Sequence, residues 1–174
     1  MLKHWDKLLN TDCTVVDVGE HTIYPIFRVG STSLIQACDK KHINHDIANC
    51  RHIDVMIRDP ESRYRSGVNE YCHQKNLDVI KTCNLIERGK LHDRHFAPQY
   101  IWLIHLYKFY KGAITIRPFE YLKNITDVHM AKSVSKVTIP VCKSFVDVDQ
   151  YLTKYYNQTI AIGDLIKRYR NVLS

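Results

Sequence analysis

Short apolar and β-branched runs alternate along the chain with longer stretches of mixed polarity. Thr14–Val18 and Ile23–Phe27 have the composition of strands, the second rich in aromatic and β-branched residues. Ser31–Lys40 then reads as a helix. The run "IDVMI" at Ile53–Ile57 suits a buried strand. A helix is predicted from about Pro60 to His73 and another over Leu77–Glu87. Ile101–Tyr110 fits either a strand or a helix, because a short apolar run does not settle its own period. Ala113–Arg117 reads as a strand, followed by Pro118 and a short helix around Tyr121. Asp147–Tyr156 and Ile160–Val172 read as two closing helices. Strands alternating with helices predict an α/β architecture, a mainly parallel sheet flanked by helices.

Length and charge narrow the function. The chain has 174 residues, 45% of them apolar and 25% charged, which suits one domain with one core spanning 1–174. No apolar stretch is long enough to span a bilayer. The N-terminal "MLKHWDKLLNTDC" has scattered charges and no apolar signal core, so a cytoplasmic location without a membrane anchor is expected. The sequons at Asn124 and Asn157 are then incidental. The six cysteines include no C-x-x-C pair and are expected to be reduced. His42 and His45, and His92 and His95, are spaced by three, but no further ligand stands at a zinc-like spacing, so no metal is expected. The net charge of +7 favours an anionic partner. The cations are dispersed and Lys167-Arg168-Tyr169-Arg170 suits a helix C-terminus, so no nucleic-acid partner is expected.

Two stretches carry candidate chemistry. "YPIFRVGSTSLIQA" (Tyr24–Ala37) runs from strand through a small-residue turn into a helix, the layout of a phosphate-binding loop. It lacks the G-x-x-x-x-G-K-[ST] pattern of nucleoside triphosphatases, and its cation, Arg28, precedes its glycine, Gly30. In "IRDPESRYRSG" (Ile57–Gly67), Arg58 closes a strand, Asp59 is a good N-cap and Pro60 a good first helical residue. Asp59, Arg63 and Ser66 then share a helix face, while Tyr64, Val68, Tyr71 and Cys72 fall elsewhere and can pack. Arg28 and Arg58 both stand at the carboxyl ends of strands, where parallel sheets bind ligands. Two cations on one rim suit a molecule with two separated anionic groups.

These stretches resemble the two cofactor motifs of sulfotransferases that use 3′-phosphoadenosine 5′-phosphosulfate (PAPS). "FRVGSTSL" is similar to the 5′-phosphosulfate loop, P-K/R-x-G-T-T and its variants; Arg58 and Ser66, eight residues apart, match the 3′-phosphate motif. "RHFAPQ" (Arg94–Gln99) resembles the H-F/W-x-P-Q element of membrane-associated carbohydrate sulfotransferases. Ile116–Leu122 fits the strand and E-x-L segment of such enzymes, and "HMAKSVSK" and "YYNQTIAIGDLIKRY" weakly resemble the last loop and terminal helix. The match in order and spacing runs from Tyr24 to Tyr169. Position 27 is Phe rather than the usual Pro, and position 28 is Arg rather than the commoner Lys.

The resemblance implies a compact, short-form sulfotransferase fold of the P-loop-like type and transfer of a sulfuryl group from PAPS to a hydroxyl acceptor such as a glycan, without a metal. Arg28, Val29, Gly30, Ser31, Thr32 and Ser33 would hold the 5′-phosphosulfate. Arg58 and Ser66 would hold the 3′-phosphate, with Arg63 assisting. Arg28 would also act in catalysis, by screening charge on the bridging oxygen. His95, in the third motif, is the expected general base, with His92 and then Glu87 as alternatives; Gln99 would hold its loop. Two other classes remain open: a P-loop kinase, which would need a Walker lysine, and a non-catalytic binder of the desulfated product, adenosine 3′,5′-bisphosphate (PAP), or another polyanion.

Overall fold

The computed structural model describes residues 2–126 and 138–173. Six strands form one sheet: β1 (Thr14–Val18), β2 (His21–Tyr24), β3 (Lys40–Ile43), β4 (Ile53–Ile57), β5 (Ala113–Pro118) and β6 (Thr159–Ala161). The α-helices are α1 (Asp6–Leu9), α2 (Ser31–Ala37), α3 (Pro60–Lys75), α4 (Val79–Glu87), α5 (Gln99–Phe109), α6 (Lys143–Gln150) and α7 (Ile162–Leu173). The α/β class is as the alternation of elements predicts. No helix among the described residues is long and apolar enough to cross a membrane. The "HMAKSVSK" segment lies outside the described residues.

The sheet is mixed rather than mainly parallel. Its order is β3-β1-β2-β4-β5-β6. The β2–β4 and β4–β5 pairs are parallel; β1–β2, β1–β3 and β5–β6 are antiparallel. Linker length explains the first reversal. Val18 pairs with His21, so β1 and β2 are joined by Gly19 and Glu20 alone, with Gly19 at φ +57°. A parallel connection needs a crossover of a dozen or more residues; two residues permit only a hairpin.

Other boundaries move for local reasons. The predicted strand at Ile23–Phe27 ends at Tyr24, because Pro25 has no N–H to give to a ladder. Arg28 therefore sits in a turn four residues past the strand, not at its end. Helix α2 stops at Ala37, and Lys40 opens β3 instead of closing a helix. The predicted closing helix at Asp147–Tyr156 is α6 followed by a 3₁₀ turn at Tyr151–Tyr155. Thr159–Ala161 forms an edge strand where the start of a helix was expected. The ambiguous Ile101–Tyr110 run is helical. Gln99, Tyr100, Ile101, Trp102, Leu103, His105 and Leu106 are all buried, so α5 has no broad polar face to give it a helical period.

The central strands are the most enclosed; every residue of β4 is buried. The parallel trio β2, β4 and β5 brings three carboxyl ends to one rim. Helix α3 starts there as its sequence dictates: Asp59 accepts a hydrogen bond from the Ser62 amide at 2.8 Å, and Pro60 occupies the first turn. Further along α3, Gly67 meets the backbone of the loop before α5. A Cβ there would stand 1.9 Å from the His95 carbonyl oxygen and 2.7 Å from its carbon. The absence of a side chain at 67 thus sets how closely α3 approaches His95.

Gly67→Ala is accordingly expected to destabilise. Helix propensity alone favours alanine by about 1 kcal/mol, but overpacking against backbone atoms costs about 1–3 kcal/mol. A urea titration should show a lower midpoint. A midpoint raised by the propensity gain would contradict the close approach.

Candidate functional site

The loop after β2 is built from a buried anchor and a turn. Ile26 and Val29 are fully buried, and the Val29 amide donates to the Ile26 carbonyl at 3.0 Å. Between them Arg28 adopts φ +65°, and Gly30 follows at φ +69° as the N-cap of α2. Glycine takes this region freely. For arginine it costs roughly 1–2 kcal/mol, so the surroundings must hold it. Arg28 Nη2 donates to Ser66 Oγ at 3.0 Å, and Nη1 lies 3.8 Å from the Glu70 carboxylate. Strain of this kind is typically kept where function requires it.

Three arginines gather beside this turn. Arg63, on α3, is 1% exposed and donates through Nη2 to the Phe27 carbonyl at 3.2 Å. Arg58, just past β4, is partly buried and its guanidinium lies over the Phe119 ring at 5.4 Å. Burial lowers the Arg58 pKa, and the Arg28 charge lowers it further. Burial brings Arg63 down to about 10; Asp149 opposes that shift, while Arg58 and Arg28 add to it. Their mutual repulsion shows that the three cations share one electrostatic environment. Arg28 Nε and Arg63 Nε are buried donors with no partner among the described residues. Such donors are costly unless something accepts from them.

Asp149, which no motif singles out, compensates the buried charge. It is 3% exposed and caps α5, accepting from the Gln99 amide at 2.7 Å and the Tyr100 amide at 2.9 Å. Burial raises its pKa to about 6 against the pull of Arg63 and these donors. Gln99 then clamps the end of β4: its Oε1 accepts from the Arg58 amide at 2.9 Å and its Nε2 donates to the Arg58 carbonyl at 3.0 Å. The expected loop-holding role of Gln99 thus takes the form of a bidentate grip on Arg58.

His95 is 6% exposed. Asp93 Oδ1 accepts from both its amide, at 3.0 Å, and its Nδ1, at 2.5 Å. With Nδ1 carrying the proton, the lone pair stands on Nε2, which is buried and unpartnered among the described residues. The Phe27 ring meets the imidazole edge-on at 4.9 Å and Tyr71 lies at 5.8 Å. His92 stacks on His4 at 4.5 Å; burial, and secondarily the His4 charge, lower its pKa. Glu87 is exposed at the end of α4.

The structure therefore brings Arg28, Arg58, Arg63 and Ser66 together. Ser31 and Thr32, with His92 and Asp93, face a cavity of about 560 Å³ that neither Arg28 nor Arg58 lines. Phe27 stands between the groups: its carbonyl binds Arg63, and its ring touches His95 and lines the cavity. No protein-family model, curated protein or solved structure matches the chain.

Removing the buried counter-charge should be costly. Asp149→Asn leaves Arg63 uncompensated and is expected to lower the unfolding free energy by about 3–5 kcal/mol. In an Arg63→Met background the same change should cost at least about 1 kcal/mol less, because the two groups couple. Strict additivity in urea unfolding would show that they act independently.

Proposed function

We propose that the chain is a sulfotransferase of short form, with the P-loop-like fold of that class, transferring a sulfuryl group from PAPS to a hydroxyl acceptor. The observation that carries this is the cluster of Arg28, Arg58 and Arg63 beside Ser66 at the carboxyl rim of the parallel strands. Like charges are held together there with two buried N–H donors unused, a state that an anionic ligand relieves. The parallel β2-β4-β5 core, with one motif following β2 and the other following β4, supports the fold assignment.

The residues present fit a nucleotide with two anionic ends. Arg58 and Ser66 are assigned to the 3′-phosphate. Ser66 Oγ accepts from Arg28, and a hydroxyl that accepts also has a proton to donate, here to a phosphate oxygen. Arg28, Gly30, Ser31, Thr32 and Ser33 are assigned to the 5′-phosphosulfate, while Val29, expected among them, is fully buried with its amide given to the Ile26 carbonyl and anchors the loop instead. When bound, PAPS supplies a sulfuryl group whose bond to the 5′-phosphate oxygen breaks as the acceptor oxygen bonds to sulfur. Arg28 contributes a fixed cation near the oxygen that gains charge, an interaction that strengthens toward the transition state. His95 Nε2 takes the acceptor's proton. Asp93 holds the Nδ1 proton and so keeps the lone pair on Nε2, as the carboxylate does in other Asp–His pairs. Resemblance to the carbohydrate enzymes favours a glycan acceptor.

The enclosure of Nε2 by Phe27 and Tyr71 favours a second reading, in which the chain binds PAP and transfers nothing. Detection of sulfated product with an acceptor panel separates the two. His95→Ala is expected to reduce transfer by roughly 10²–10⁴-fold and to leave PAP affinity within a few-fold. Unchanged turnover would move the role to His92, which faces the cavity.

The 3′-phosphate assignment has its own test. A charged hydrogen bond contributes about 1.5–3 kcal/mol, so Arg58→Ala should weaken PAP roughly 10- to 100-fold. AMP, which has no 3′-phosphate, should bind the variant and the wild type alike. An unchanged PAP-to-AMP ratio in calorimetric titrations would leave Arg58 with only a structural part.

A further inference from the structure

A second polar cluster occupies the face of the sheet opposite α5. Side chains alternate along a strand, and Asp54 pairs with Ile23 on one side and Thr115 on the other. His21, His52, Asp54, Thr115 and Arg117 follow the same alternation and share a face. Tyr24, whose hydroxyl meets His105 of α5, belongs to the other face. Arg58 comes four residues after Asp54, about 13 Å at the rise of a strand, so the cluster stands apart from the arginine rim. Dispersed in the chain, these residues carry no motif; strand pairing alone assembles them.

Asp54 organises the cluster and is itself 4% exposed. Its Oδ2 accepts from His21 Nδ1 at 2.9 Å and its Oδ1 from Arg117 Nε at 3.3 Å, while His52 Nε2 lies 3.8 Å from Oδ1. His52 Nε2 donates to Thr115 Oγ1 at 2.8 Å, and Thr115 donates on to Thr159 Oγ1 at 2.7 Å. That set of donors leaves lone pairs or protons for outside partners at His21 Nε2 and His52 Nδ1, neither of which is hydrogen-bonded among the described residues. Arg117 Nη1 reaches Asn157 Oδ1 at 3.4 Å, and the guanidinium lies over the Tyr121 ring at 4.7 Å. The histidine side chains are 31% and 39% exposed, although the carboxylate they approach is buried. Arg117 alone would balance Asp54, and pairs this exposed add little stability. The carboxylate instead fixes the orientation of two accessible rings and keeps them close enough to meet a single phosphodiester.

Two imidazoles and a guanidinium supply proton transfer and a fixed cation but no nucleophile. The neighbouring hydroxyls, Thr115 and Thr159, are engaged with each other and with His52. A substrate must therefore bring its own nucleophile. RNA does so, in the 2′-hydroxyl beside each phosphodiester, and the net charge of +7 favours such a polyanion. We propose that the cluster of His21, His52 and Arg117 cleaves single-stranded RNA by internal transesterification, an activity separate from the sulfuryl transfer. His52 Nδ1 takes the proton of the 2′-hydroxyl as its oxygen bonds to phosphorus. The bond from phosphorus to O5′ breaks, its electron pair leaves on O5′, and His21 Nε2 gives that oxygen a proton. The products are a 2′,3′-cyclic phosphate and a 5′-hydroxyl, and proton exchange with water resets both rings. Asp54 is the counter-ion for the imidazolium that His21 carries into the step, and Arg117 faces the charge that grows on the phosphoryl oxygens.

The test is cleavage of a DNA oligonucleotide carrying one ribouridine, with EDTA present, beside its all-deoxy counterpart. The full chain should cut only at the ribouridine and leave a 2′,3′-cyclic phosphate, read by mass spectrometry. His21→Asn and His52→Asn should each lose roughly 10²–10⁴-fold in rate. His73→Asn, at an exposed position of α3 and purified in parallel, should keep the wild-type rate, which sets the activity apart from a contaminating nuclease. Uridine 3′-(p-nitrophenyl phosphate) separates the two roles, because its leaving group departs without a proton. On this ester His21→Asn should come within about tenfold of the wild type, and His52→Asn should stay slow. No cut at the ribouridine, a cut in the all-deoxy strand, or an undiminished rate in either His21→Asn or His52→Asn overturns the proposal. So does a His21→Asn chain as impaired on the ester as on the oligonucleotide. None of these results bears on PAP binding at the arginine rim, which is tested separately.

Discussion

Arg63 carries a positive charge into the interior, and the layout of the rim follows from how that charge is held. Its guanidinium fixes the Phe27 carbonyl and thereby the turn that presents Arg28. Its charge is offset by Asp149, which in turn caps α5. Gln99, the first residue of α5, grips both backbone groups of Arg58. One buried charge thus links the β2–α2 loop, α3, the end of β4, α5 and α6. Burying an ion is expensive, and such an arrangement specifies geometry more than it adds stability. Here the geometry specified is three like charges close together, which is a poor solution for an isolated protein and a good one for a binder of phosphate.

The sequence was most informative where chemistry is local. Asp59 and Pro60 announce the start of α3, and they do cap it. Arg58 stands just past β4, whereas Arg28, expected at the end of a strand, lies in a turn four residues beyond β2 and reaches Ser66 from there. That Arg28 hydrogen-bonds Ser66 directly was not legible, because it depends on a left-handed turn at a non-glycine residue. The direction of the outer strands was also hidden. It follows from short linkers and from edge pairing, and periodicity carries neither. Helix α5 lost its period to burial on all sides.

Asp149 and the cavity could not have been read from the chain. Asp149 is separated from Gln99 by fifty residues and sits in a stretch that looks like an ordinary surface helix. Its importance comes from burial, which only the tertiary fold creates. The cavity is assembled from residues as distant as Trp5 and His105, with no motif among them. Phe27 shows the same limit in a single side chain. As a departure from the usual proline of the loop it is legible; as the wall shared by His95 and the cavity it is not.

The most direct test of a rim built for a doubly anionic nucleotide is a thermal-shift comparison of the wild-type chain with PAP, AMP, ADP and ATP, the last with and without Mg²⁺. A ligand specific for the native state stabilises it by about 2.7 kcal/mol at a hundredfold excess over its Kd, which a melting curve resolves readily. PAP should raise the Tm clearly, and more than any of the others at equal concentration. Stabilisation by ATP with Mg²⁺ and none by PAP would contradict the assignment of Arg58 and Ser66 to a 3′-phosphate and the sulfuryl chemistry with it.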